Sequence, residues 1–268
     1  MDSTEGQERI KAGLKETLRD LSRLYGVSGF EQEPVRYTQK RFGDLSGKVD
    51  TDRYGNVTLH RPGQSDSAPS LMISAHMDEI GFMVKAVEAN GYVRFDRIGG
   101  VGDALLSCRK VWVNGHFGLI GSVSGHLGSP EQLGRVTPLK ELYIDVGASS
   151  AEQVAAMGIH IGDPVCFVGE LAEFSGGDRV CGKAMDDRAG LAILIQAMTE
   201  LGNEAPYGSV HAVATVLEQV GHRGAVMAAY RIRPDYAIAI DGEIFQDAWF
   251  APIGPDSEVH LVPAIRGG

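Results

Sequence analysis

Cysteine is scarce in this chain, with three among 268 residues: Cys108, Cys166 and Cys181. They lie 58 and 15 positions apart and form no C-x-x-C pair. A disulfide framework is therefore not expected, and buried free thiols in a reducing compartment are. Long apolar runs are also missing, since no stretch approaches the ~18 residues a membrane span needs. The first residues, Met1-Asp-Ser-Thr-Glu-Gly-Gln-Glu8, are polar and acidic, without the basic and apolar regions of a targeting segment. A soluble, cytoplasmic protein is expected. Positive charge is in deficit, 25 Lys and Arg against 35 Asp and Glu, for a net charge of −10. That disfavours nucleic-acid binding, which needs a basic face. The chain has no G-x-S-x-G elbow and no Walker A loop, and Gly100-Val-Gly102 lacks the third glycine of a dinucleotide site.

Hydrophobic residues make up 43% of the chain, ordinary globular usage that can build a sizeable core without a staple. Glycine is abundant, with 35 residues, which suggests many tight turns and short strands. Ile10, Leu14, Leu18, Leu21 and Leu24 recur at spacings of three and four, predicting an amphipathic helix over 8–25 that stops at Gly26. A second helix is expected from Glu31, with Pro34 in its first turn. Residues 49–60 read as a hairpin turning at Asp52–Asn56, and Leu71–Ala75 as a buried strand. From about 80 to 171 the pattern is strand, glycine turn, strand, with one helix capped by Ser150 and Gln153. After Cys181 helices and strands alternate: a buried helix over 191–198, a central strand over 210–216, a helix over 224–231 and a buried strand over 236–240. The expected fold is an α/β sheet flanked by helices, over 1–76 and 172–268, interrupted by a β-rich, barrel-like insert over 77–171.

Four places put acids or histidine at the carboxyl end of an expected buried strand. They are His76-Met-Asp78-Glu79, Asp186-Asp187 after Val180, Glu218-Gln219, and Asp241. Ligands of open α/β sheets bind at those ends. Imidazole crowded among carboxylates is costly without a neutralising cation, and this donor set suits zinc or its neighbours. Singly, each has a structural reading: a histidine satisfied within the fold, a helix cap, or turn chemistry at Asp241-Gly242.

Three stretches, Ser74-Ala-His-Met-Asp-Glu-Ile-Gly-Phe82, Gly182-Lys-Ala-Met-Asp-Asp-Arg-Ala-Gly190 and Thr215-Val-Leu-Glu-Gln-Val-Gly-His-Arg-Gly-Ala225, resemble the dinuclear metallo-aminopeptidases of the tetrahedral (TET), deblocking and glutamyl aminopeptidase family. Leu142–Ser150 and Gly162–Val165 extend the resemblance into the insert, and it runs from about Leu21 to the last residue. It implies that His76 and Asp241 are ligands of a first metal, that Asp186 bridges two metals, that Glu218 is the general base, and that Asp78 is an acid supporting the site. It implies zinc or cobalt, peptide substrates, and homo-oligomers in which the insert forms dimers and dimers assemble into a dodecamer.

The sequence departs from that pattern at Gln219, where the family has a second glutamate that ligates the second metal. The family's further histidine ligand has no counterpart before the chain ends at Val262–Gly268, so the chain resembles a C-terminally truncated member. One metal per chain is therefore expected rather than two, with Gln219 a weak ligand at most. His222 and His260 read as bystanders, His222 as a solvent-facing or capping residue. The expected function is a metal-dependent aminopeptidase. The alternatives are a non-catalytic homologue that keeps the assembly insert, and a metal-dependent hydrolase of another bond.

Overall fold

The structure is a computed structural model that describes residues 3–65, 67–122, 135–177 and 179–241. His260 and the segment from Val262 lie outside them. In chain order the elements begin with α1 (Ser3–Arg23), α2 (Gln32–Gly43), β1 (Lys48–Thr51), β2 (Val57–Arg61) and β3 (Leu71–His76). There follow β4 (Gly81–Val87), β5 (Val93–Ile98), β6 (Lys110–Val113), β7 (His116–Gly121), β8 (Tyr143–Asp145), α3 (Ala151–Ala156) and β9 (Pro164–Phe167). Last come β10 (Ala172–Glu173), β11 (Val180–Cys181), α4 (Met185–Leu201), β12 (Val210–Thr215), α5 (Arg223–Ile232) and β13 (Tyr236–Ala239). The chain divides into two compact units, Met1–Glu79 with Glu170–Gly268, and Ile80–Gly169. No helix of the described residues is long and apolar enough to cross a membrane.

In the first unit a five-stranded sheet runs β1-β2-β12-β3-β13. Strand β12 pairs parallel with β3 and antiparallel with β2, and β13 is parallel to β3. The strand period of two sends Ala212 and Ala214 to one face and Val213 to the other. The first face packs on α1, α2 and α4 through Leu18, Leu21, Phe42, Leu191, Leu194, Ile195 and Met198. Each fully buried leucine there contributes about 1.5–3 kcal/mol relative to exposure. On α2 the buried residues are Pro34, Thr38 and Phe42, four apart as one helical face requires. The opposite face takes Ala228 of α5 against Met72 and Val213. In the β1–β2 hairpin the Asp52 carboxylate accepts the N–H groups of Tyr54, Gly55 and Asn56, and Gly55 adopts a φ of +104°.

The second unit is a closed barrel, β4-β5-β8-β7-β6-β9, which leaves its strands no open edge. Phe82, Val93, Phe95, Val111, Val113, Ile120, Ile144 and Val165 fill it. The Ser150 side chain caps α3 by accepting from the Gln153 N–H. The reciprocal bond is donated by the Ser149 N–H to Gln153 Oε1, one residue earlier than the usual capping box.

Three expectations are corrected. Strand β13 is exposed along its length rather than buried, because among the described residues it pairs on one side only, with β3. Cys166 is buried, but the other two free cysteines, Cys108 and Cys181, are exposed. Val180 lies in a two-stranded ribbon, β10–β11, so Asp186 and Asp187 reach the site from the start of α4 and not from a strand of the main sheet.

Candidate metal centre

Strands β12, β3 and β13 run in register, with Thr215 opposite His76 and Ala239 opposite Ser74. Their carboxyl ends therefore deliver His76, the Leu217–Gln219 segment and Asp241 to one sheet edge. Ala184, in the left-handed region at φ 54°, turns the chain into α4 and brings Asp186 to the same place. One ligand atom from each of His76, Asp186 and Asp241 lies within 4.8 Å of the others. Among the described residues this is the one group of three or more His, Cys, Asp or Glu so placed.

The hydrogen bonds of His76 fix its orientation. Nδ1 is 3.0 Å from the Asp78 carbonyl, which can only accept, so Nδ1 carries a proton. That directs Nε2 towards Asp186 Oδ1, at 2.8 Å. This is the arrangement by which metal-binding histidines are oriented. Burial alone would lower the affinity of His76 for a second proton. The bonds to Asp186 and Asp78 and the charges of Asp187 and Asp78 outweigh it and hold the imidazole well above its ordinary value. Crowded carboxylates thus draw positive charge onto this spot, and a divalent cation answers the same demand. The residues fit the group.

Two buried acids support His76. Asp187 accepts the His76 N–H at 3.1 Å and the Gly190 N–H at 2.9 Å. A side chain at position 190 would collide with that carboxylate. Burial pushes the Asp187 carboxyl up to about 8, against the opposing pull of His76. Asp78 accepts the N–H groups of Glu218 and Gln219, one on each oxygen and each at 3.0 Å, and a short bond from the Ser28 hydroxyl. Burial raises the Asp78 carboxyl, but these bonds and His76 win and hold it below its ordinary value.

The Glu218 carboxylate sits beside the cluster, with Oε2 3.7 Å from His76 Nε2. Burial raises its pKa, and the nearby Asp78 and Asp186 add to the rise that His76 and His222 oppose. A carboxyl raised in this way suits proton transfer. Gln219 points its amide nitrogen at Asp186 Oδ2, 3.4 Å away. His222 is solvent-facing, with 66% of its side chain exposed. It makes no cap bond for α5, and its Nδ1 lies 2.7 Å from Glu218 Oε1.

Sequence reasoning named Glu79 and Asp187 among the acids at the strand ends without giving either a role, and did not single out Ser28, Glu31 or Lys183 as site residues. The Asp-Asp doublet in the first turn of α4 signalled Asp187. The others carry no periodic or spacing signal.

The family model described as M42 glutamyl aminopeptidase matches residues 55–252. Lysyl aminopeptidase of Pyrococcus furiosus is 34% identical over 260 residues, covering 94% of this chain and 71% of that protein. Among solved structures, an aminopeptidase from Desulfurococcus kamchatkensis superposes with a TM-score of 0.78 at 37% identity, over 89% of this chain and 67% of its own. The Pyrococcus horikoshii TET1 peptidase, described as assembling into a tetrahedron or a large octahedral shell, gives 0.77 at 31% identity, over 85% and 68%. Against curated relatives from Escherichia coli and Acetivibrio thermocellus, 32–35% identical, the chain spans 62–65% of their length, slightly under two thirds. A model match over most of the sequence, with relatives a third identical along nearly all of it, places this chain in the M42 glutamyl aminopeptidase family.

Proposed function

We propose that the protein is a metal-dependent aminopeptidase that hydrolyses N-terminal residues from peptides. The observation that carries this reading is the convergence of His76, Asp186 and Asp241 within 4.8 Å, with the Glu218 carboxylate beside them. His76, Asp186 and Asp241 hold a divalent cation, zinc or cobalt. When bound, the cation supplies a Lewis acid for the scissile carbonyl and makes water more acidic. Glu218 takes the proton of the attacking water and returns it to the leaving amine. Asp78 holds the Glu218 backbone and orients His76.

Gln219 offers a neutral amide in place of a charged ligand, and its side-chain amide nitrogen faces Asp186. This favours one tightly held cation per chain rather than two. The sheet unit carries the chemistry, and the barrel unit is the self-association module. Support for that assembly comes from the exposed apolar side chains of Phe117, Leu119 and Ile161 on the barrel, and from the shells formed by the Pyrococcus horikoshii neighbour. The free cysteines support a reducing, cytoplasmic location.

Hydrolysis of amino-acyl anilides by the cation-loaded chain tests the reading. Glu218→Gln is expected to lower the rate by about 10²–10⁴-fold with the cation retained. An unchanged rate in Glu218→Gln, or a rate indifferent to chelation, would overturn it.

A further inference from the structure

The backbone at the end of β12 is held by side chains from elsewhere in the chain. The N–H groups of four successive residues each meet a side-chain oxygen. Val216 donates to Asn56 at 3.1 Å, Leu217 to Glu31 at 3.1 Å, and Glu218 and Gln219 to Asp78 at 3.0 Å each. Glu31 belongs to a tight turn, Ser28-Gly29-Phe30-Glu31, in which Gly29 has a φ of +90° and donates its N–H to Glu31 Oε1 at 2.8 Å. The Ser28 hydroxyl of the same turn bonds Asp78. The turn is itself anchored. Val27 pairs with Glu79 in a parallel bridge, and Glu79 accepts the Gly26 N–H at 3.0 Å.

Leu217 sits in the left-handed region, at φ 58°, which a leucine adopts only when its surroundings impose it. The Glu31 carboxylate is buried and takes the Leu217 N–H, so it supplies part of that constraint. Without it the N–H would be left without its acceptor, and the turn that aims Glu218 would relax.

We infer that Glu31 is a positioning residue for the general base, acting through the Leu217 backbone without touching substrate or the His76, Asp186 and Asp241 cluster. The inference builds on the aminopeptidase reading, and its test separates the two. Amide hydrogen exchange on the full chain should show Glu31→Ala losing protection at Leu217, Glu218 and Gln219, while Ala212 and Val213 keep theirs. Glu31→Gln retains an acceptor oxygen and should restore protection. Uniform loss across β12, or no loss at Leu217, would overturn the inference. In anilide hydrolysis Glu31→Ala should lower kcat by about 10–100-fold with KM and cation affinity unchanged, and Glu31→Gln should recover most of the rate. An effect on KM or cation affinity alone, or failure of Glu31→Gln to rescue, would also overturn it. If the wild-type chain hydrolyses nothing, the aminopeptidase reading falls and the exchange measurement alone decides the positioning role.

Discussion

Lys183 Nζ lies 2.8 and 3.0 Å from the two carboxylate oxygens of Glu79, and both side chains are almost wholly buried. The ammonium also donates to the Leu24 carbonyl at 2.6 Å, and Arg188 approaches Glu79 at 3.9 Å. One ion pair thus joins three segments: the end of α1, the turn after β3 and the approach to Asp186.

Removing one partner leaves an uncompensated buried charge, which costs about 3–5 kcal/mol. Glu79→Gln and Lys183→Met should each lower the free energy of unfolding by an amount of that order, read from the shift of the denaturant midpoint. The double variant should lose less than the sum, because neither charge is then stranded. Additive losses in equilibrium unfolding would show that the pair is not coupled.

Asp78→Ala should be costly in two separable ways. It orphans the N–H groups of Glu218 and Gln219 and the Ser28 hydroxyl, at about 1–3 kcal/mol for each donor that water cannot reach. It also frees the segment whose carbonyl orients His76, so cation affinity should fall by about 10–100-fold. Denaturant unfolding and cation titration read the two effects independently. Wild-type values in both would refute the role given to Asp78.

Away from the site, His60 and His211 stack across β2 and β12 with ring centroids 4.4 Å apart. Burial lowers the His211 pKa, and His60 and Arg231 lower it further. The folded chain therefore holds this proton less tightly than the unfolded chain, where histidine titrates near about 6.5. The stabilisation is present above that value and is lost as the pH falls through it towards the lower folded value. Between neutral and mildly acidic pH the unfolding midpoint of the wild type should fall relative to that of His211→Phe, the raised His76 contributing with the opposite sign in both chains. An equal slope in the variant would assign the pH dependence to other groups.

The sheet and the barrel were legible because hydrophobic period and glycine placement report directly on local structure. Thr215, Ser74 and Ile240 sit at the ends of apolar runs, so the acids that follow them could be placed at one sheet edge. Strand β13 reads as buried from its apolar run alone, since Tyr236-Ala-Ile-Ala does not encode how many neighbours it pairs with. The support around the site was not legible. Ser28 and Glu31 reach Asp78 and Leu217 across separations of 50 and 186 positions, and no short-range pattern carries such contacts. Asp187 differs from Asp186 in burial, which adjacent identical letters cannot show.

On the function proposed above, His76, Asp186 and Asp241 together hold one divalent cation, and Gln219 is at most a weak ligand for a second. Elemental analysis of the purified chain after dialysis tests it most directly. Close to one zinc or cobalt ion per chain is expected, with loss of that ion in His76→Ala and gain of affinity for a second in Gln219→Glu. A wild-type chain that retains no cation, a His76→Ala chain that retains one as tightly, or two tightly held ions in the wild type would contradict it.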